Sequence, residues 1–407
     1  MKLLVIDSSY SYEKILKLGL QSSVLCRDLE GYFEHVWTIH PFASLVTSSD
    51  WGSQYGRFDT FMISKNHTFI EGKIGRFKFL RFFKRLNFFY SQLVILIYLI
   101  KLIKKEKISV LRVGDPLYLG ILGFILSRIN KIPFVVRVGS NNDKIRLTTG
   151  RCIMPRFFNS IRVEELVERF VFSKANLIAG ANYDNLNFAL SNGANPNRCT
   201  LFRYGNLINP IHFIHPANRI NIRDNFDFSS DCLLLCIARL DPVKKVDDVI
   251  MVTSEVKRAK FRVKTLIVGD GGEKEKLINL AKSLGVFEDI IFCGNKDQEW
   301  IANIIPEASV VLSPHTGRAL TEVALGGAPI VAYDIDWQSE IIESGFTGEL
   351  IGFGDSQGFA NATIKLLNNR VYALELGSNV REKVLKMMDP FTLNEHERDE
   401  YNKLLIN

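Results

Sequence analysis

Arg239 and Lys244 stand five residues apart in Leu233-Leu-Leu-Cys-Ile-Ala-Arg-Leu-Asp-Pro-Val-Lys-Lys-Val-Asp-Asp248, an apolar run that ends in a basic turn. A guanidinium is a planar fork that grips phosphate oxygens in pairs, and a lysine adds a point charge. Further on comes Ser313-Pro-His-Thr-Gly-Arg-Ala-Leu-Thr-Glu322, continuing through Gly326-Gly-Ala-Pro329 to Asp334. It reads as the end of a strand over 308–312, a turn around Gly317, an amphipathic helix from about Leu320 and a new strand after Pro329. The first amides of a helix are unpaired and its N-terminal end is positive, so Gly317, Arg318, Ala319 and Leu320 are candidates to hold an anion. Glu322 falls in that first turn, where a carboxylate is tolerated and can accept two hydrogen bonds from a vicinal diol.

The elements that must position these groups alternate. Between the two segments lie Thr265-Leu-Ile-Val-Gly-Asp-Gly-Gly272, an apolar strand ending in a glycine turn, then a charged helix, then Ile290-Ile-Phe-Cys-Gly294. Aliphatic strands separated by helical stretches indicate an α/β architecture with parallel sheets. Taken singly, each segment also fits an ordinary βαβ unit with a capping glutamate, or an exposed basic turn. Their order and spacing distinguish them.

In that order the segments resemble the nucleotide-binding half of a GT-B glycosyltransferase, most closely the large retaining family called family 4. Ala238-Arg239-Leu240 with Lys244 stands where that family has Gly-Arg-Leu and Lys-Gly. Glu322 with Gly326-Gly-Ala-Pro-Ile-Val331 matches the second acid of its Glu-x7-Glu and the following Gly-x-Pro-Val-Val, and Ser344-Gly-Phe-Thr-Gly348 matches Gly-x-Thr-Gly. The likeness is good over about 230–390 and thinner before it. One departure stands out: the family's first acid falls at Pro314, so nucleotide contacts are retained and the sugar side is altered. The resemblance implies two Rossmann-like domains with parallel sheets facing across a cleft that closes by a hinge. It also implies a retaining glycosyltransferase, with catalytic Arg239, Lys244 and Glu322, and with Gly271, Gly317, Arg318, Ala319 and Leu320 binding the donor. No Asp-x-Asp sits in a plausible strand-end loop. Fixed cations are therefore expected to stabilise the leaving diphosphate, with no cofactor and no obligatory metal. A GT-B nucleotide-sugar epimerase and a degenerate GT-B scaffold protein remain alternatives. The expected partners are a nucleotide-diphosphate sugar and a glycan or lipid-linked acceptor, as in bacterial surface polysaccharide or lipopolysaccharide synthesis.

The 407 residues suit two domains, and no period of 20–50 residues marks a solenoid. A polar stretch near 206–225, with Pro210 and Pro216, sets the boundary: an acceptor domain over 1–210 and a nucleotide-sugar domain over 225–389. Helix 390–407 is expected to cross back to the first. Cys26, Cys152, Cys199, Cys232, Cys236 and Cys293 form no C-x-x-C pair, which points to buried thiols in a reducing compartment. The start, Met1 to Asp7, is too short for a signal peptide and reads as the first strand.

Charge divides the chain. Residues 1–220 hold 30 Lys and Arg against 15 Asp and Glu, a net +15; the remainder holds 21 against 29, a net −8. The basic density peaks in Lys73 to Tyr90, where six cations interleave with aromatics and no acid intervenes, and Lys101, Lys104, Lys105 and Lys107 follow. The apolar run at 93–100 is too short to span a bilayer and is expected to be a buried helix. With no nucleic-acid-binding module in view, 73–107 reads as a peripheral contact with an anionic membrane, at the cytoplasmic face, or as a solvated helix with its aromatics turned inward. In the N-terminal half, Asp115, Asn141 and Asp143 follow strands and are the acceptor-side candidates, though each also suits a turn or cap. The histidine that family members place on such loops is replaced by Gly114 or Gly139. His40, before Pro41, is a further candidate, structural unless a site surrounds it.

Overall fold

Short aliphatic runs buried on both faces become parallel strands, because only a sheet covered on two sides buries every residue of such a run. The computed structural model describes residues 1–17, 19–44, 54–218, 232–315 and 317–406. It divides into two compact units, Met1–Leu207 with Pro390–Asn407, and Ile208–Asp389. Part of the stretch expected to link domains lies outside the described residues; Pro210–Phe213 and Pro216–Asn218 are single 3-10 turns.

In the first unit the described strands are β1 (Lys2–Ile6), β2 (His35–His40), β3 (Asp59–Ser64), β4 (His67–Glu71), β5 (Val110–Val113), β6 (Phe134–Val138), β7 (Leu177–Gly180) and β8 (Cys199–Leu201). They lie in the order β3-β4-β2-β1-β5-β6-β7-β8. All pairs are parallel except β3–β4, a hairpin that adds an antiparallel edge to the expected parallel sheet. Helix Pro390–Ile406 covers one face. Arg112 of β5 donates to the Glu397 carboxylate at 2.6 Å and to the Tyr401 hydroxyl at 3.3 Å, all buried. Removing one partner of such a pair strands a buried charge and costs roughly 3–5 kcal/mol.

Helix Lys84–Glu106 covers the other face. Asn87, Ser91, Ile95, Leu99, Leu102 and Ile103 are buried, a stripe at helical spacing. By length and hydropathy this helix would also pass for a membrane span, but that stripe packs into the core of the unit. The opposite face and the segment before it point outward: Phe79 is 75% exposed, Phe82 79%, Phe83 66% and Phe89 60%. Of the aromatics in 73–90 only Phe88 turns inward, against Tyr118 and Phe157, and the run at 93–100 is only half buried, with Leu93 and Ile97 exposed.

The second unit holds β9 (Cys232–Ile237), β10 (Val263–Val268), β11 (Ile290–Gly294), β12 (Val310–Ser313), β13 (Ile330–Asp334) and β14 (Glu349–Gly352), in the order β11-β10-β9-β12-β13-β14, all parallel. Strand order reverses between β9 and β12. The crevice outside the carboxyl ends of strands at such a switch point is where open α/β sheets hold ligands. All six cysteines are free thiols, and only Cys236, on β9, is fully buried.

Candidate active site

The turn after β9 is built by backbone clamping. The Leu240 N–H donates to the Asp270 carbonyl at 3.1 Å, and the Leu240 carbonyl accepts from the Glu273 N–H at 3.1 Å. The glycine turn after β10 must come this close: a Cβ on Gly269 would overlap the Ala238 carbonyl oxygen, and one on Gly271 the Leu240 carbonyl oxygen. Gly271 thus acts by letting two backbones touch, which fixes the direction in which Arg239 leaves the sheet. Arg239 is largely exposed and ion-paired with Asp241. Lys244 ends the 3-10 turn Pro242–Lys244 and is half buried. Burial lowers its pKa, the Arg239 guanidinium lowers it further, and Asp336 and Asp241 oppose the shift. An ammonium in that position gains from an anion that replaces lost water.

The loop after β12 meets this turn. Gly317 takes a left-handed φ of +64°, and a Cβ there would lie 3.9 Å from the Lys244 ammonium nitrogen. The helix that follows, Ala319–Leu325, has only seven residues, so its dipole is small and side-chain cations carry most of the local positive charge. The Leu320 N–H donates to the Gly317 carbonyl at 3.0 Å, which closes the turn and takes Leu320 out of the expected set of open amides. Glu322 is buried, and Arg318, half exposed, stands 3.7 Å from its carboxylate. Burial raises the Glu322 pKa, with Arg318 opposing. Gln338 ties the site to the next strand by donating to the Pro314 carbonyl (3.1 Å) and the Tyr333 carbonyl (2.8 Å).

His315 and Asp336 were given no role by the sequence pattern. His315 Nδ1 lies 2.9 Å from the Val243 carbonyl oxygen, and its Nε2 lies 2.5 Å from Asp336 Oδ2. Asp336 sits at φ +55°, beyond the end of β13. Thr347, in the Gly-x-Thr-Gly match, is buried; its hydroxyl accepts from the Glu343 N–H and donates to the Ile341 carbonyl. That motif holds the loop before β14 and reaches no site.

The first unit's carboxyl edge differs. Asp115 accepts from the Leu117 and Leu119 amides at 2.8 and 3.3 Å, heading helix Tyr118–Asn130, and burial pushes its pKa up to about 7. Asn141 caps helix Asn142–Thr149 and donates to Asp184 at 3.2 Å. Asp143 accepts from Arg146 and Asn192. The three are thus engaged locally, each on its own partners. His40 is buried at the end of β2; its Nδ1 accepts from the Phe42 N–H, its Nε2 has no hydrogen bond, and burial lowers its pKa to about 4. Near it, Asp7 follows β1. Burial raises its pKa, but the Arg27 guanidinium at 2.5 Å and both the hydroxyl and amide of Ser9 outweigh that and hold it at about 2. Asp7 and Arg27 carried no sequence signal. Among the described residues no cluster of three or more His, Cys, Asp or Glu side chains could hold a metal ion.

Two units, each built on a largely parallel α/β sheet with its strand order reversing at a switch point, define the GT-B glycosyltransferase fold. Within it, residues 218–383 match the family model of glycosyl transferases group 1. N-acetyl-alpha-D-glucosaminyl L-malate synthase of Bacillus anthracis is 28% identical over 159 residues, 38% of this chain and 41% of that protein. Poly(ribitol-phosphate) alpha-N-acetylglucosaminyltransferase of Staphylococcus aureus is 25% identical over 203 residues, 44% and 41%. The match thus spans about two fifths of the length of these curated relatives. Over nearly the whole chain, the crystal structure of Anabaena HepE in complex with UDP superposes with a TM-score of 0.73 at 16% identity, covering 99% of this chain and 100% of that one.

Proposed function

We propose that this chain moves a sugar from a nucleotide-diphosphate donor to a hydroxyl of a glycan or lipid-linked glycan, in the assembly of a bacterial surface polysaccharide or lipopolysaccharide. The observation that carries this reading is the Lys244 ammonium over Gly317, beside Arg239, at the switch point of the second sheet. In the reaction the bond from the anomeric carbon to the diphosphate oxygen breaks and the acceptor oxygen takes its place on the same face. The acceptor's proton passes to the departing phosphate. Arg239 and Lys244 stabilise the charge that develops on the diphosphate, and Glu322 accepts hydrogen bonds from the ribose. With two fixed cations at the leaving group, the reaction needs no obligatory metal. Support comes from the family match over residues 218–383 and from the UDP held by the similar structure.

The acceptor reading draws on the outward aromatic ledge. Phe79, Phe82, Phe83 and Phe89 stand among Lys78, Arg81, Lys84 and Arg85, with the Arg81 guanidinium 4.8 Å from the Phe82 ring centre. Such a surface suits a headgroup layer, which its rings would enter while its cations meet anionic lipid, and this supports a peripheral position at the cytoplasmic face of the cell membrane. The deciding experiment for the donor is a thermal-shift screen over nucleotide sugars. A ligand at a hundredfold its dissociation constant adds about 2.7 kcal/mol, and no shift with any of them would refute the assignment.

A further inference from the structure

The strand-end loops of the second sheet are cross-linked by one side chain that the phosphate assignment does not use. His315 bonds the Val243 carbonyl through Nδ1 and Asp336 through Nε2. A carbonyl only accepts, so Nδ1 carries a hydrogen. Its Nε2 faces Asp336 Oδ2 at 2.5 Å. Its attachment point matters. Val243 immediately precedes Lys244 in the 3-10 turn, so the imidazole fixes the backbone from which that ammonium reaches Gly317. Asp336 is itself held in a left-handed conformation that few non-glycine residues adopt, as expected where surrounding structure dictates the backbone. Gln338 pins the neighbouring Pro314 carbonyl, so the loop that carries His315 has little freedom to drift.

We propose that His315 and Asp336 are positioning residues for the donor diphosphate. They join the loops after β9, β12 and β13 and hold Lys244 over Gly317. This rests on the donor-site reading above and deepens it. The proposal also gives a reason for Pro314: beside the place of the missing acid stands a histidine, and its carboxylate partner arrives from the next strand's loop.

The test is a double-mutant cycle on the full chain, with UDP and GDP binding followed by calorimetry. His315→Ala and Asp336→Ala each lower affinity about tenfold, because a displacement of about 1 Å at a binding group is felt strongly. In a Lys244→Ala background, His315→Ala costs nothing further, since the group it positions is gone. His315→Gln, which can donate to one of the two partners, recovers part of the loss. Thermal midpoints of all variants stay close to wild type, separating positioning from folding. Additive losses in the double variant, or full affinity in His315→Ala, overturn the positioning role while leaving the donor site standing. If the wild-type protein binds neither nucleotide, the donor-site reading falls and this inference falls with it.

Discussion

The two sheets present the same kind of edge and use it differently. After β9 and β12 the loops hold an exposed arginine, a half-buried lysine with lowered pKa and a glycine opposite it. At the ends of β1, β2, β5 and β6 the polar groups are absorbed: Asp115 and Asn141 bind helix amides, Asp7 binds Arg27, and His40 is buried and held neutral. A polar residue after a strand is thus ambiguous by type alone. What separates ligand from cap is whether local backbone has already claimed it, and that depends on whether amides of the next helix come within reach.

The largest effect expected from this contrast is on turnover. Arg239→Ala and Lys244→Ala should each lower it by about 100-fold or more, since each removes charge from the developing diphosphate. Asn141→Ala should instead leave turnover near wild type and lower stability by about 1 kcal/mol, as loss of a helix cap does. Steady-state kinetics beside chemical denaturation reads both, and an inverted pattern would erase the distinction between the edges.

Glycines sharpen the comparison. Gly271→Ala forces the backbone away from Leu240 and should cut donor affinity at least about tenfold by moving Arg239. Gly139→Ala meets nothing within 4 Å and should be neutral in the same titration. Equal effects would mean that the Arg239 turn does not depend on that close approach.

A smaller effect is expected at Glu322. Replacing it with Gln should weaken nucleoside diphosphate binding by about 1–3 kcal/mol, because charge-assisted hydrogen bonds to the ribose become neutral ones. Unchanged affinity by calorimetry would return Glu322 to the role of partner for Arg318.

The buried edge predicts a pH response. His40 has a folded pKa of about 4 against an ordinary value near 6.5, so the unfolded chain takes up the proton first. Stability from this group is full above about pH 6.5 and is lost as pH falls toward 4, on the order of 3 kcal/mol. Asp7, with its pKa held at about 2, is lost in a lower window, between about pH 4 and 2. Denaturation at pH 7 and pH 4.5 should show His40→Leu losing less on acidification than wild type. The same slope in both would mean that His40 is not held neutral.

The architecture was legible because strands such as Leu233–Ile237 and Val310–Leu312 are continuous aliphatic runs, and such runs fit few structures besides a covered parallel sheet. Ordered spacing singled out Arg239, Lys244 and Gly317 as one candidate site, and the structure brings Lys244 to Gly317. The His315–Asp336 pair was not, because its partners belong to different loops and no spacing rule joins them. Nor could the outward turn of Phe79 and Phe82 be read: an interleaved basic and aromatic segment has no single period to say which face the core takes.

The central claim is that fixed protein cations, and no obligatory metal, hold the donor diphosphate at the β9–β12 edge. Calorimetry of UDP and GDP in EDTA and in Mg²⁺, with wild type and the Arg239→Ala/Lys244→Ala double variant, tests it most directly. The account predicts wild-type binding of at least one nucleotide with similar affinity in both buffers, and its loss by about 100-fold in the double variant. Binding that appears only with Mg²⁺, or that survives removal of both cations, would contradict it.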